Sequence, residues 1–499
     1  MKKKNIYILI GIIIVAVLMY INWITMHYSA DTYNIINVGY EKYATNWSLK
    51  DGRLFMYIIT MISAKINMPI SIFVIGTLIV AIIISAVTVL KLKNILIKNI
   101  NNITLKKEIL FTILSFFTIF NFMYIEDMYF VESVVMAISL LLFIYASEFI
   151  VYANKQKKKF WLGLVFAILG VIAYQGTIGF LIILTFVLSL LKNKVELKGK
   201  KEDLKNNIKQ ISWDLLKSLT VAVIAISVNM IIVSIIGKIT GLEQTRVGSI
   251  TSIFSNLGYI LNNFEKILKD CIGLFPNYAL YIFLAVLLTF SIIYDIKTKD
   301  KNFFTIKTIL IILISLIGAF IVSVGTLSSF YTGRLRFCIG SMIGFILICL
   351  IKENDDKLRN YFLYFILILY SILNIYNCII ITYEHKLVNE YEKQEVEYLN
   401  NYIKQYEEAN NIDVNKIAIY TVKGQSNKAY FTNINRKSVV TYNSLRCEWA
   451  ADGLINYYSE DKLERITLTK KLLIKYLQNK PSEGYKIIDD TLVLECYMY

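Results

Sequence analysis

Acidic residues and arginines gather in a few polar segments of an otherwise oily chain. The stretch His27–Tyr33 contributes Asp31, and Asn46–Arg53 contributes Asp51 and Arg53. Tyr124–Tyr129 carries Glu126 and Asp127 side by side, with Glu132 just beyond. Tyr174-Gln175-Gly176 forms a tight turn, Glu243 and Arg246 share a longer segment, and Tyr331-Thr332-Gly333-Arg334-Leu335-Arg336 completes the set. A positioned carboxylate can take the proton from a hydroxyl as that oxygen attacks carbon. Arginine holds a phosphate with two parallel hydrogen bonds and steadies it as a leaving group. Both types on one membrane face suit transfer of a sugar from a lipid-linked phosphate, because that phosphate already lies at the bilayer surface. Each residue also has a plainer reading: solvated loop acids, arginines anchored at headgroup level, and Tyr33, Trp47 and Tyr129 as interface aromatics.

The elements that must position these groups are hydrophobic. Of 499 residues, 18% are charged and only three are proline, and mean hydropathy is +0.54. Apolar blocks of roughly 15 to 22 residues recur, the length a helix needs to cross ~30 Å of hydrocarbon. They run Asn5–Ile24, Ile70–Leu90, Leu110–Tyr124, Phe130–Tyr152, Phe160–Tyr174, Thr177–Leu191, Leu215–Ile236, Leu280–Tyr294, Ile306–Val324, Phe337–Ile351 and Tyr361–Ile381. The expected fold is an all-α polytopic membrane protein of about eleven spans. Asn5–Ile24 reads as a retained helix rather than a cleaved signal, since no small-residue cleavage site follows it. Leu54–Ser63 is too short to cross and reads as an interfacial helix.

Net charge is +16, but the lysines sit in alternate short loops, as the positive-inside rule expects, and nucleic acid is not an expected partner. Lys2–Lys4, Lys91–Lys107, Lys155–Lys159, Lys192–Lys209, Lys297–Lys301 and Lys352–Arg359 all fall on one side. That side is cytoplasmic, the acid- and arginine-bearing segments face outward, and the C-terminal part lies outside. Residues 1–383 form the membrane domain and 384–499 a small extracytoplasmic α/β domain. The latter has a helix over Lys386–Glu408, strands at Ile417–Val422 and Ser438–Tyr442, helices at Glu448–Tyr458 and Leu468–Leu477, and one or two strands over Tyr485–Cys496. Six cysteines form no metal-type pair. Cys447 and Cys496 are available for a disulfide outside the cell, and His27 and His385 are too few for a histidine metal cluster. No cofactor and no divalent metal are expected.

With these residues in view, the sequence resembles the Gtr type II bacterial glucosyltransferases, the serotype-converting O-antigen enzymes. Five pieces carry the resemblance: Asp31-Thr32-Tyr33, Trp47 through Gly52-Arg53-Leu54, the Glu126 turn with Tyr129, Tyr174-Gln175 at the top of a hairpin, and Arg334 opening a late span. It covers about the first 380 residues in order. The family often has a second acid directly before the position of Asp31; here that residue is Ala30. The resemblance implies a GT-C fold with its site at the outer face, and a polyprenyl-phosphate sugar donor carrying glucose. It implies Asp31 as base, with Glu126 and Asp127 a second acidic site. Arg53, Arg246, Arg334 and Arg336 would bind the donor phosphate, and Tyr33, Asp51, Tyr174 and Gln175 the substrate. The partners would be membrane lipid and a surface polysaccharide or glycolipid acceptor. Competing readings are a transporter or flippase, which would place ionisable groups near mid-membrane, and an O-antigen-type polymerase or ligase.

Overall fold

The computed structural model describes residues 3–98, 104–153, 156–193, 201–242, 250–272, 275, 278–298, 303–324, 332–353, 357–422, 443–478 and 480–497. Each apolar block listed above coincides with a helix. The first is α1 (Lys3–Met19), which breaks near Tyr20 into α2 (Ile21–Thr25) and α3 (Ala30–Val38) with a bend of 76°. Then come α4 (Tyr40–Tyr43), a π-helical turn (Ala44–Leu49), α5 (Leu54–Lys65), α6 (Ile70–Ile97) and α7 (Leu105–Ile119). A short α8 (Tyr124–Tyr129) precedes α9 (Ser133–Val151), α10 (Lys157–Ala173), α11 (Ile178–Lys192) and α12 (Lys201–Thr240). The series continues with α13 (Ile250–Asn262), α14 (Phe264–Ile272), α15 (Ala279–Thr298), α16 (Phe304–Val324), α17 (Phe337–Glu353) and α18 (Lys357–Asn410).

Among the described residues, eight helices are long and apolar enough to cross a membrane, or nine with the bent first pair. At 15 and 17 residues, α7 and α10 are shorter. Helices α11 and α17 are enclosed almost throughout, whereas α12 and α15 present most of their apolar surface outward. One large apolar cluster, from Ile12 on α1 to Ile381 on α18, unites the bundle. Helix α5 is two-faced: Ile58, Ile62 and Ile66 are exposed while Met56, Thr60 and Ser63 are buried. That stripe at every fourth position suits a helix lying along an interface.

Helix α18 contains neither proline nor glycine over its 54 residues and runs unbroken from the apolar Tyr361–Ile381 stretch to Asn410. The expected boundary at residues 383/384 therefore falls inside a helix. Beyond it come β1 (Lys416–Val422), α19 (Ala451–Tyr458), β2 (Glu464–Ile466), α20 (Lys470–Gln478), β3 (Tyr485–Ile488) and β4 (Thr491–Tyr497). The sheet order is β2-β1-β4-β3; β1 runs parallel to both its neighbours, and β3 and β4 form a hairpin. Its inner face packs on α18 and α19 through Val396, Leu399, Leu454, Leu492 and Leu494. The expected strand at Ser438–Tyr442 lies outside the described residues. Cys447 and Cys496 are buried with reduced thiols rather than a disulfide, their sulfurs directed at the carbonyls of Asn443 and Leu445.

Candidate active site

The polar stretch before α5 is folded, not loose. Ser29 caps α3: its hydroxyl accepts from Thr32 N–H, and the Thr32 side chain answers the Ser29 N–H. This capping box fixes the start of the helix. It leaves Asp31 in the first turn, half-buried, where the helix dipole favours a carboxylate. Gly52 closes the stretch at φ 75°, in the left-handed region that favours glycine. A side chain there would also strike Val233 and Asn229 of α12. The next residue, Arg53, is thereby turned inward.

Arg53 is buried, and its Nη1 donates to Glu132 at 2.5 Å while Nη2 lies 3.7 Å from Asp51. Burial alone would lower the guanidinium pKa; Glu132 and then Asp51 more than reverse this, so the ion is held firmly charged. Tyr174 lies under the same guanidinium, with its ring centroid 5.5 Å away, and Gln175 Nε2 donates to the Asp51 carbonyl at 3.2 Å. Four sequence-singled residues (Asp51, Arg53, Tyr174 and Gln175) thus converge. Glu132 joins them from 79 positions away, and nothing in the sequence near either residue announces the pair.

A second charge group adjoins the first. Glu126 and Asp127 lie on α8, which packs against the short 3₁₀ helix Gly333–Arg336. Both are buried, contrary to the solvation expected for so short a turn. The backbone N–H groups of Gly333 and Arg334 donate to Glu126. Its Oε1 and both carboxylate oxygens of Asp127 meet no protein donor. Burial pushes the Glu126 carboxyl up despite Arg334. Burial, then the neighbouring Glu126, pushes Asp127 well above the ordinary carboxylate range. Two carboxylates this close in a dry site favour sharing a proton. Arg334 stacks over the Phe130 ring at 4.0 Å. Arg334, Asp127, Arg53 and Glu132 all act electrostatically on the buried Tyr174 hydroxyl, which sets Tyr174 between the two charge groups.

Two residues face elsewhere. Arg336 is fully buried and donates to the Ala319 carbonyl and, at 2.8 Å, to the Ser323 hydroxyl, so its fork holds the end of α16. Tyr33 is fully buried among Val396, Leu445, Leu454 and other side chains of the C-terminal part. Arg246 lies outside the described residues. Four positions before Asp31, the Nε2 of His27 bonds the Tyr129 carbonyl at the end of α8. Among the described residues, no group of three or more His, Cys, Asp or Glu side chains is arranged to hold a metal.

A family model described as Glucosyl transferase GtrII matches residues 20–334, more than half of the chain and a span that contains every charged group of this site. No curated protein and no solved structure matches the chain.

Proposed function

The chain belongs to the GtrII glucosyl transferase family and is a membrane glucosyltransferase; from that premise we propose that it moves glucose from a polyprenyl phosphate to a glycan or glycolipid at the outer membrane face. In this reading the chain has a GT-C architecture. It crosses the membrane about eleven times, with α7 and α10 as short crossings, a cytoplasmic N-terminus and the β-sheet outside. The observation that carries it is the pairing of buried, donor-poor carboxylates on α8 with Arg334. A polar group that far from water needs a partner, and a sugar hydroxyl offers one.

The acceptor hydroxyl attacks the anomeric carbon from the face opposite the phosphate. The C–O bond to phosphate breaks, polyprenyl phosphate departs with the bonding electrons, and the acceptor proton passes to Asp31. A single displacement inverts the anomeric configuration. Arg334, cradled by Phe130, holds the leaving phosphate. Arg53 is already matched by Glu132 and Asp51, so its role is to fix Tyr174 and the Asp51–Gln175 wall around the sugar. Protonated, the Glu126–Asp127 pair donates a hydrogen bond to a sugar oxygen. Arg336 serves as a helix staple.

The test is direct. Membranes containing the full chain are incubated with either undecaprenyl-phosphate [14C]glucose or UDP-[14C]glucose, under conditions that block conversion of one into the other. Label entering envelope material from the lipid donor alone is the expected result. Transfer from UDP-glucose alone overturns the donor assignment.

A further inference from the structure

The family match ends at residue 334, yet chain far beyond it holds the helix that carries Asp31. From α18, the Asn389 side chain clasps the backbone just before α3 on both sides: its Oδ1 accepts from Tyr28 N–H at 2.9 Å, and its Nδ2 donates to the Tyr28 carbonyl at 2.8 Å. His385 Nε2 reaches that same carbonyl at 3.1 Å. From α19, Asp452 is buried and accepts from Asn37 Nδ2 at 2.7 Å, and the Tyr28 and Tyr457 hydroxyls meet at 3.1 Å. Between these contacts the two helices touch backbone to backbone. A Cβ on Gly453 would come within 2.0 Å of the Tyr33 carbonyl oxygen and 3.1 Å of Asn37 Cβ. Tyr33 fills the core of the C-terminal part.

We infer that the C-terminal part is a clamp that sets the position of α3, and that Gly453, Asp452 and Asn389 are positioning residues for Asp31. This rests on Asp31 being the base. The physical demand is strict: a base works only within hydrogen-bond reach of its proton, and an error of about 1 Å can cost on the order of 10²-fold in rate. Helix α3 is only nine residues long and ends at Gly39, whose φ of 80° lies in the left-handed region. A short helix so tethered gains its rigidity from what packs on it. The donor phosphate grip is on the 3₁₀ turn at Arg334, so moving α3 should spare donor binding while slowing the chemical step.

The experiment uses the full chain in membranes, with undecaprenyl-phosphate [14C]glucose as probe and an added thiol, Ala30→Cys, as a position reporter. Gly453→Ala forces α3 away from α19. It is expected to lower kcat roughly 10- to 100-fold, with KM for the lipid donor within about twofold and unchanged protein amount. The rate at which maleimide labels the reporter thiol should change in parallel. Asp452→Ala should give a smaller loss of the same kind. Asp452→Asn should restore kcat, because its amide oxygen still accepts from Asn37 and the ion pair lost, with the solvent-accessible Arg465 at 3.4 Å, is long. Unchanged labelling of the reporter in Gly453→Ala overturns the clamp. So does changed labelling with kcat unaltered, or a loss of activity that appears as a proportional rise in KM. A failure of the base assignment shows separately: Asp31→Asn would turn over normally while Gly453→Ala still altered the labelling.

Discussion

The carboxylates buried at the lysine-rich end of the bundle differ from those buried at the other end in what surrounds them. At the lysine-rich end, Glu108 takes Lys93 at 3.2 Å and also Lys4, and Lys93 in turn reaches Asn5. Glu148, half-buried, takes Lys91 at 2.6 Å and Lys98 at 3.5 Å. Asp214 accepts from Ser189, Gln210 and Lys217. Each of these acids has two or more donors, and each network joins at least two helices. At the other end, Glu132 has Arg53, but Asp127 has no donor and Glu126 only part of its capacity filled. Leaving a buried acceptor unmet costs about 1–3 kcal/mol, more if charged. A fold that tolerates this at one end, while saturating these groups at the other, marks the first as a place for a ligand and the second as fastening.

The sharpest way to break that contrast is Asp31→Asn. Removing the proposed base should slow glucose transfer by roughly 10²- to 10⁴-fold, with membrane insertion unchanged. Glu108→Gln, at the fastened end, should leave the rate per molecule intact. Transfer assays normalised to protein amount decide this, and equal rates for Asp31→Asn and parent would remove Asp31 as the base.

Glu132→Gln comes next. It removes the nearer charge and leaves Arg53 with Asp51, at 3.7 Å, as its carboxylate partner. Breaking one arm of a buried pair is expected to cost about 3–5 kcal/mol of stability. A fall in thermal midpoint in detergent, accompanied by slower transfer, checks it; an unchanged midpoint would show that Arg53 is not anchored as described. Arg334→Lys should act on binding instead. Replacing a fork by a point charge forfeits hydrogen bonds to phosphate worth about 1.5–3 kcal/mol, so KM for the lipid donor should rise about ten- to a hundredfold. An unaltered KM would return Arg334 to an anchoring role.

The smallest effect concerns pH. Asp127 has a raised pKa, so the folded state holds its proton more tightly than the unfolded chain does. The resulting stabilisation is fully present below the unfolded value of about 3.9 and is lost as pH rises through the folded one. Stability should therefore decline with rising pH in the parent and decline less in Asp127→Asn. Identical pH slopes would mean that Asp127 is ionised and paired.

Much of the scaffold was legible because a bilayer imposes a length on its helices: each apolar block falls on helix, although the first is broken near Tyr20 and α7 and α10 are short. The sheet strands at Ile417–Val422 and Tyr485–Cys496 were legible from alternation and β-branching. The site was legible by residue type, not by direction. Asp31 and Tyr33 stand two apart on a helix, about 200° around its axis. The two side chains therefore leave the helix on nearly opposite sides, and Tyr33 points into the C-terminal core. Arg334 and Arg336 divide similarly on a 3₁₀ turn, where two steps span about 240°. The burial of Glu126 and Asp127 depends on a turn some 200 residues later folding over α8, and the Arg53–Glu132 pair on two loops meeting. Neither leaves a local trace.

Helix α18 has one further consequence. A helix of 54 residues is about 80 Å long, and this one has no proline or glycine at which to bend. Its lower half is in the apolar bundle, and its upper half carries Asn389 and the sheet. It is a lever without a joint. Tilting its base by about 10°, well within the range by which spans adapt to bilayer thickness, carries the far end sideways by roughly 14 Å over that length. Any tilt of the bundle half of α18 would thus be carried undamped to Asn389, which holds the backbone just before α3.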